Sequence, residues 1–147
     1  MLVAAVLLAT ATLSQRLTSA AEELLRIEKK IAATYDVDAL LYEDVLTLLD
    51  EALDADPHNL HAHARAGEVL VLKSKQADGT FDICSLLDAR DEADFVLTHG
   101  AEPTDQAIAR GVLRSIDSIP QSAIPDPPSS CGDDDQGRRH GTKTRSS

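Results

Sequence analysis

Aromatic side chains are nearly missing from this chain: two Phe, two Tyr and no Trp in 147 residues. That scarcity argues against a β-sandwich or barrel, whose cores draw on cross-strand aromatic and β-branched pairs. Cysteine is as rare, with Cys84 and Cys131 alone. Two thiols cannot frame a disulfide scaffold, and they lack zinc-site spacing, so the sequence leaves the redox compartment open. Positive charge is short as well. Lys and Arg number 14 against 25 Asp and Glu, a formal charge of −11. The whole excess precedes residue 121, because residues 1–120 hold 10 basic and 21 acidic side chains and residues 121–147 hold 4 of each. An acidic body repels phosphate backbones and anionic lipid, so the expected partner is a protein or peptide, preferably basic, and not nucleic acid.

The motifs of common catalysts are missing too. No Gly-rich phosphate loop, Gly-x-Ser-x-Gly elbow or His-Glu-x-x-His helix occurs. No catalytic residue, cofactor or small-molecule substrate is therefore expected. Nor does any apolar run reach the ~20 residues that a spanning helix needs. The longest, "MLVAAVLLATATL", covers residues 1–13. It has the length of a secretory h-region, with small residues at Thr18, Ser19 and Ala20 ahead of a cleavage before Ala21, but no Lys or Arg precedes it. The other reading is a plain amphipathic helix. Val6, Ala9, Leu13, Leu17, Ala20, Leu24, Ile27 and Ile31 advance by threes and fours straight through the cleavage point. Export or membrane association is slightly less favoured than a cytoplasmic location.

What is present is helical pattern rich in Ala and Leu. Residues 37–55 carry Val37, Leu41, Val45, Leu48 and Ala52 on one face, with Asp36 placed as cap and Pro57 as stop. Asn59 is a good N-cap for a helix from Leu60 to about Lys75, with Ala62, Ala66, Val69 and Leu70 inward. "QADGT" breaks it. Residues 81–98 form the next pattern through Phe81, Cys84, Leu87, Phe95 and Val96, with His99 and Gly100 as its C-terminal signal. The last follows Pro103 and Thr104 through Ile108, Val112, Ile116 and Ile119 to Pro120. Residues 120–147 are rich in Pro, Ser, Gly and charge without apolar period, and are expected to be disordered. The expected fold is all-α: antiparallel helical hairpins over residues 21–119, a long N-terminal helix or signal at 1–20, and a tail.

"EALDADPHNLHAHARAG" resembles the junction between tetratricopeptide repeats. Ala52, Leu53 and Pro57 match the end of one repeat, and Ala66 and Gly67 the first helix of the next. Ala93, Leu97, Pro103 and Gly111 repeat the theme downstream, so the likeness spans residues 37–119 and is densest from 50 to 70. It implies a short stack of helix pairs whose first helices line a groove for a peptide or partner helix. Groove positions would then be His61, Ala64, Glu68 and Val71, with Arg65 beside them. Capture of a C-terminal carboxylate is disfavoured, since only Arg65 could serve and Glu68 opposes it.

His58, His61 and His63 raise the question of a metal. On a helix His61 and His63 lie about 200° apart, so they cannot share an ion. His58 with Asp54 and Asp56 is the remaining cluster, and a metal-dependent hydrolase using them is the rival to the adaptor reading. A calcium loop fails at its sixth and twelfth positions, Asn59 and Arg65. The expected state of the three histidines is solvated, on a turn and a groove edge. A third reading is a structural homo-oligomer, with the Val6-to-Ile31 stripe as a helix-pairing seam.

Overall fold

The computed structural model describes residues 11–35, 42–125 and 131, and the described residues are all-helical. Five α-helices follow in order: α1 (Leu13–Tyr35), α2 (Glu43–Ala55), α3 (Leu60–Ser74), α4 (Ile83–Thr98) and α5 (Pro103–Asp117). A single 3₁₀ turn, Gln121–Ala123, comes after them. No strand occurs among the described residues; one isolated bridge pairs Lys75 with Phe81 across the α3–α4 loop. α1 packs along α2 and α3 along α4, as two hairpins, while α5 rests against both α3 and α4. Because α3 also touches α1, the helices α1, α3 and α5 lie side by side.

Local chemistry explains the boundaries. Thr12 and Gln15 form a reciprocal capping box at the start of α1: the Gln15 backbone N–H donates to Thr12 Oγ1 at 3.2 Å, and the Thr12 N–H donates to Gln15 Oε1 at 2.9 Å. Asn59 caps α3 by accepting from the Ala62 N–H at 3.1 Å. Asp82 caps α4, accepting from the Cys84 and Ser85 N–H groups at 3.3 Å each. Pro103 occupies the first turn of α5, where a missing N–H costs nothing. Gly100 closes α4 with φ of 70°, a left-handed conformation that side chains disfavour.

The core is built from Val45, Leu49, Val69, Leu86 and Val96, with Ala62, Ala89, Ala93 and Ala109 between them, all 0–2% exposed. Small residues set the spacing between helices. A Cβ added at Gly67 would lie 3.3 Å from the Ala89 carbonyl oxygen and 3.5 Å from Val112, so this glycine lets α3 approach both α4 and α5.

Several expectations change at this level. The second helix begins at Glu43, and residues 36–41, including the expected cap Asp36, lie outside the described residues. α1 runs unbroken through positions 20 and 21, but it buries Ser14, Thr18, Ala21, Leu25 and Glu28. The buried row is shifted by one residue, about 100°, from the expected stripe. Polar partners explain the shift: Ser14 Oγ donates to the Ala52 carbonyl at 2.7 Å, and the Asn59 amide donates to Ser14 Oγ at 2.8 Å and Thr18 Oγ1 at 3.1 Å. Those hydroxyls are satisfied inside, and the hydrophobic row is left beside them.

The tail is ordered further than expected. The Phe81 N–H donates to the Ala123 carbonyl at 2.9 Å, and Ile119 and Ile124 pack on the core. Cys84 is half of a disulfide with Cys131, 47 residues away, and so is neither a free thiol nor a nucleophile. The remaining tail residues lie outside the described set.

Candidate functional site

The shared face of α1, α3 and α5 carries a continuous set of polar side chains that bridge helices. His61, in the first turn of α3, touches two carboxylates at once. Its Nδ1 meets Asp105 Oδ1 on α5 at 2.5 Å, and its Nε2 meets Glu22 Oε1 on α1. Carboxylates only accept, so both contacts are hydrogen bonds together only in the imidazolium form, with a proton on each ring nitrogen. Burial disfavours that charge, but the hydrogen bonds and charges of Asp105 and Glu22 outweigh it, and the His61 pKa is raised.

From Glu22 the ion pairs continue across the face. Arg65 Nη2 reaches Glu22 Oε2 at 3.4 Å, Arg65 Nη1 donates to Glu68 Oε2 at 2.8 Å, and Lys29 Nζ donates to Glu68 Oε1 at 2.6 Å. Asp105, His61, Glu22, Arg65, Glu68 and Lys29 thus alternate in sign across three helices. Burial pushes the Glu68 carboxyl up, yet the hydrogen bonds from Lys29 and Arg65 overcome this and its pKa is lowered. Each charge in the network faces an opposite one, although the buried Arg65 Nε–H has no hydrogen-bond partner among the described residues, and this pairing suits it to holding helices together better than to gripping a ligand's charge.

Beyond the ion pairs the face becomes apolar. Between α3 and α5 lies a cleft of about 320 Å³ lined by Glu68, Val71, Leu72, Ile108, Gly111, Val112 and Ser115. Gly111 differs from Gly67. A Cβ built there meets only the Arg114 guanidinium, at 4.0 Å. A mid-helix glycine costs roughly 1 kcal/mol relative to alanine, and no neighbour among the described residues accounts for it.

The five expected groove residues therefore separate. Glu68 and Val71 line the cleft. His61 and Arg65 do not line it and are engaged in ion pairs. Ala64 is fully buried and presents nothing to a groove. Glu22, Lys29 and Asp105, and the cleft residues Leu72, Ile108, Gly111, Val112 and Ser115, were not singled out from sequence as groove residues. For Gly111 a signal existed: a glycine amid "IARGVL" in a helical pattern asks for a reason.

His63 faces the other way, as its helical angle requires. Its Nδ1 meets Glu92 Oε2 on α4 at 2.5 Å and its Nε2 donates to the Pro57 carbonyl at 2.8 Å. Burial opposes the charge of His63, but Glu92, the Pro57 carbonyl and Asp56 prevail and its pKa is raised. Its ring lies 4.2 Å from that of Phe95, which stacks in turn on His99 at 3.9 Å. His61 and His63 are thus staples between helices, not solvated imidazoles.

His58 alone stays in the turn, exposed, with its N–H donating to Asp56 Oδ1 at 3.0 Å. Among the described residues no group of three or more His, Cys, Asp or Glu side chains is placed to hold a metal ion, and no helix is long and apolar enough to cross a membrane. Glu92, which the sequence places on an acidic face of α4 with Asp88, Asp91 and Asp94, turns inward to His63. No family model matches the chain, and no curated protein or solved structure matches it.

Proposed function

We propose that the protein is an interaction adaptor that docks a peptide or partner helix in the cleft between α3 and α5. The observation that carries this reading is Gly111: it weakens its own helix, touches no packed neighbour, and leaves an open floor between Val71 and Leu72 on one wall and Ile108 on the other. Such a floor suits a row of apolar side chains from an inserted helix. The side-by-side order of α1, α3 and α5 agrees with the tetratricopeptide-like arrangement, in which first helices form the binding face. A basic partner is favoured by the formal charge of −11. The Cys84–Cys131 disulfide favours an oxidising compartment as the place of action.

A peptide array probed with the purified protein and with a Gly111→Leu variant tests the reading. The leucine fills the cleft and faces open space, so the fold tolerates it. Peptides bound by the wild type are expected to bind the variant at least tenfold more weakly, at a melting temperature equal to or above that of the wild type. Peptide binding indifferent to this substitution, or no bound peptide at all, would overturn the cleft as the docking site.

A further inference from the structure

Of the large apolar side chains that stand exposed among the described residues, Leu13, Ile27, Ile31 and Tyr35 all belong to α1, and Leu87 is the other. Leu13, Ile27 and Ile31 are 58%, 42% and 36% exposed. With the half-buried Leu17 and Leu24 and the exposed Ala20 they form one row, Leu13, Leu17, Ala20, Leu24, Ile27 and Ile31. Steps of four and three alternate without a slip. That is the 3.5-residue period of a helix-pairing seam, and it selects another α-helix as occupant over a flat or irregular surface. The row extends over about 27 Å of helix, on the flank of α1 away from Glu22 and Lys29, which face α3.

We propose that this seam pairs two copies of the chain, α1 against α1 in antiparallel orientation. Two features of the row identify the occupant as a second copy. The first is its volume pattern. Antiparallel alignment about the middle of α1 sets Leu13 against Ile31 of the other copy, Leu17 against Ile27, and Ala20 against Leu24, so the one small residue always meets a large one. Parallel alignment would set Ala20 against Ala20 and leave a gap at the centre of the seam, which close packing disfavours. The second is charge. Most of the molecule is acidic, but α1 carries Arg16, Arg26, Lys29 and Lys30 against Glu22, Glu23 and Glu28. Two copies repel each other less there than across α2 or α4, where acidic residues prevail. The interface is isologous, as a two-fold dimer requires, and it leaves the α3/α5 cleft of each copy open, so it is independent of the docking reading.

Sedimentation of the full chain over a concentration series, beside an Ile27→Glu/Ile31→Glu double variant, tests the proposal. Both side chains are exposed, so the variant retains its fold, which far-UV dichroism checks. The wild type is expected to sediment as two chains, and the double variant as one, with at least a tenfold rise in the dimer dissociation constant. A wild type that stays a single chain overturns the proposal, as does a dimer that survives in the double variant. Orientation is read by mixing Leu13→Cys chains with Ile31→Cys chains under mild oxidation. Cross-links between the two kinds are expected; cross-linking of Leu13→Cys chains only to each other would overturn the antiparallel arrangement.

Discussion

The two ends of the helix stack are finished in opposite ways. At the C-terminal end the chain closes back on the body: after the 3₁₀ turn Gln121–Ala123, the Phe81 N–H holds the Ala123 carbonyl, Ile124 packs on the core, and the Cys84–Cys131 disulfide ties Cys131 to the first turn of α4. At the N-terminal end α1 is anchored, among the described residues, mainly along one flank. Its hydroxyls are buried against the α2–α3 turn through Ser14, Thr18 and Asn59, while Leu13, Ile27 and Ile31 remain in water. A stack of hairpins needs a cap at each end because every repeat exposes an apolar face to the next. One end here folds back on the core, and the other leaves apolar side chains of α1 exposed.

Breaking the closed end gives the largest expected effect. Reduction of the disulfide, or Cys84→Ser, removes a cross-link over 47 residues and is expected to lower the unfolding free energy by about 2–4 kcal/mol. Urea titration measures it. Amide exchange should quicken in α4 and α5 before α1; equal quickening throughout would show that the ends are not independently closed. Next comes the anchored side of α1. Asn59→Ala removes the α3 cap and both contacts to Ser14 and Thr18, a loss of about 2 kcal/mol by the same titration. A loss below about 0.5 kcal/mol would show that hydroxyl burial does not set the rotation of α1.

The pH dependence tests the staples that join the two ends. His61 and His63 have pKa values raised above 6.5, so their stabilisation is complete below 6.5 and is lost as pH rises through the folded values. The expected contribution is larger for His63 than for His61, whose side chain is 35% exposed and screened by solvent. Glu68 runs the other way, its lowered pKa giving stability above 4.5 that is lost as pH falls through the folded value. Melting temperature should therefore decline from pH 6 to pH 9, and a His61→Gln/His63→Gln variant should flatten that decline.

Two smaller effects sharpen the picture at α1. Glu28 is 6% exposed, and burial followed by the charge of Asp44 raises its pKa, so it destabilises the fold once ionised. Glu28→Gln is expected to raise stability at pH 7, with the gain shrinking as pH falls through the raised native value and vanishing below 4.5, where the unfolded carboxyl is protonated too. Calorimetry at the two pH values distinguishes this from a packing effect. Ile27→Glu, on the open flank, should change monomer stability by less than about 0.5 kcal/mol, whatever it does to association. A larger loss under dilute conditions would mean that the flank is covered within the single chain.

Much of the architecture was legible in the sequence. Pro57, Asn59, Pro103 and Gly100 act locally, through a missing N–H, a side-chain acceptor or a left-handed φ, so their roles follow from residue type and position. Gly67 was readable for the same reason, as a small residue at a helix junction. The Thr12–Gln15 capping box was equally open to reading, and marks the start of α1. The site was less legible. Glu22, His61 and Asp105 are 39 and 44 residues apart in pairs, and no local pattern announces a contact of that range. Ala64 was misplaced because a groove position and a core position on α3 differ by a small rotation, and only packing against neighbouring helices decides it.

The sequence alone determined that this chain is helical, where its helices break, and that its body is acidic, because those properties arise from local spacing, caps and summed charge. The tertiary structure decided which flank of α1 is buried, that His61 and His63 are staples between helices, that Cys84 finds Cys131, and that Gly111 faces a cleft. Each depends on residues brought together from distant parts of the chain. α1 shows the division most clearly: its apolar row is plain in the sequence, yet buried hydroxyls, held by partners on α2 and in the α2–α3 turn, turned that row outward.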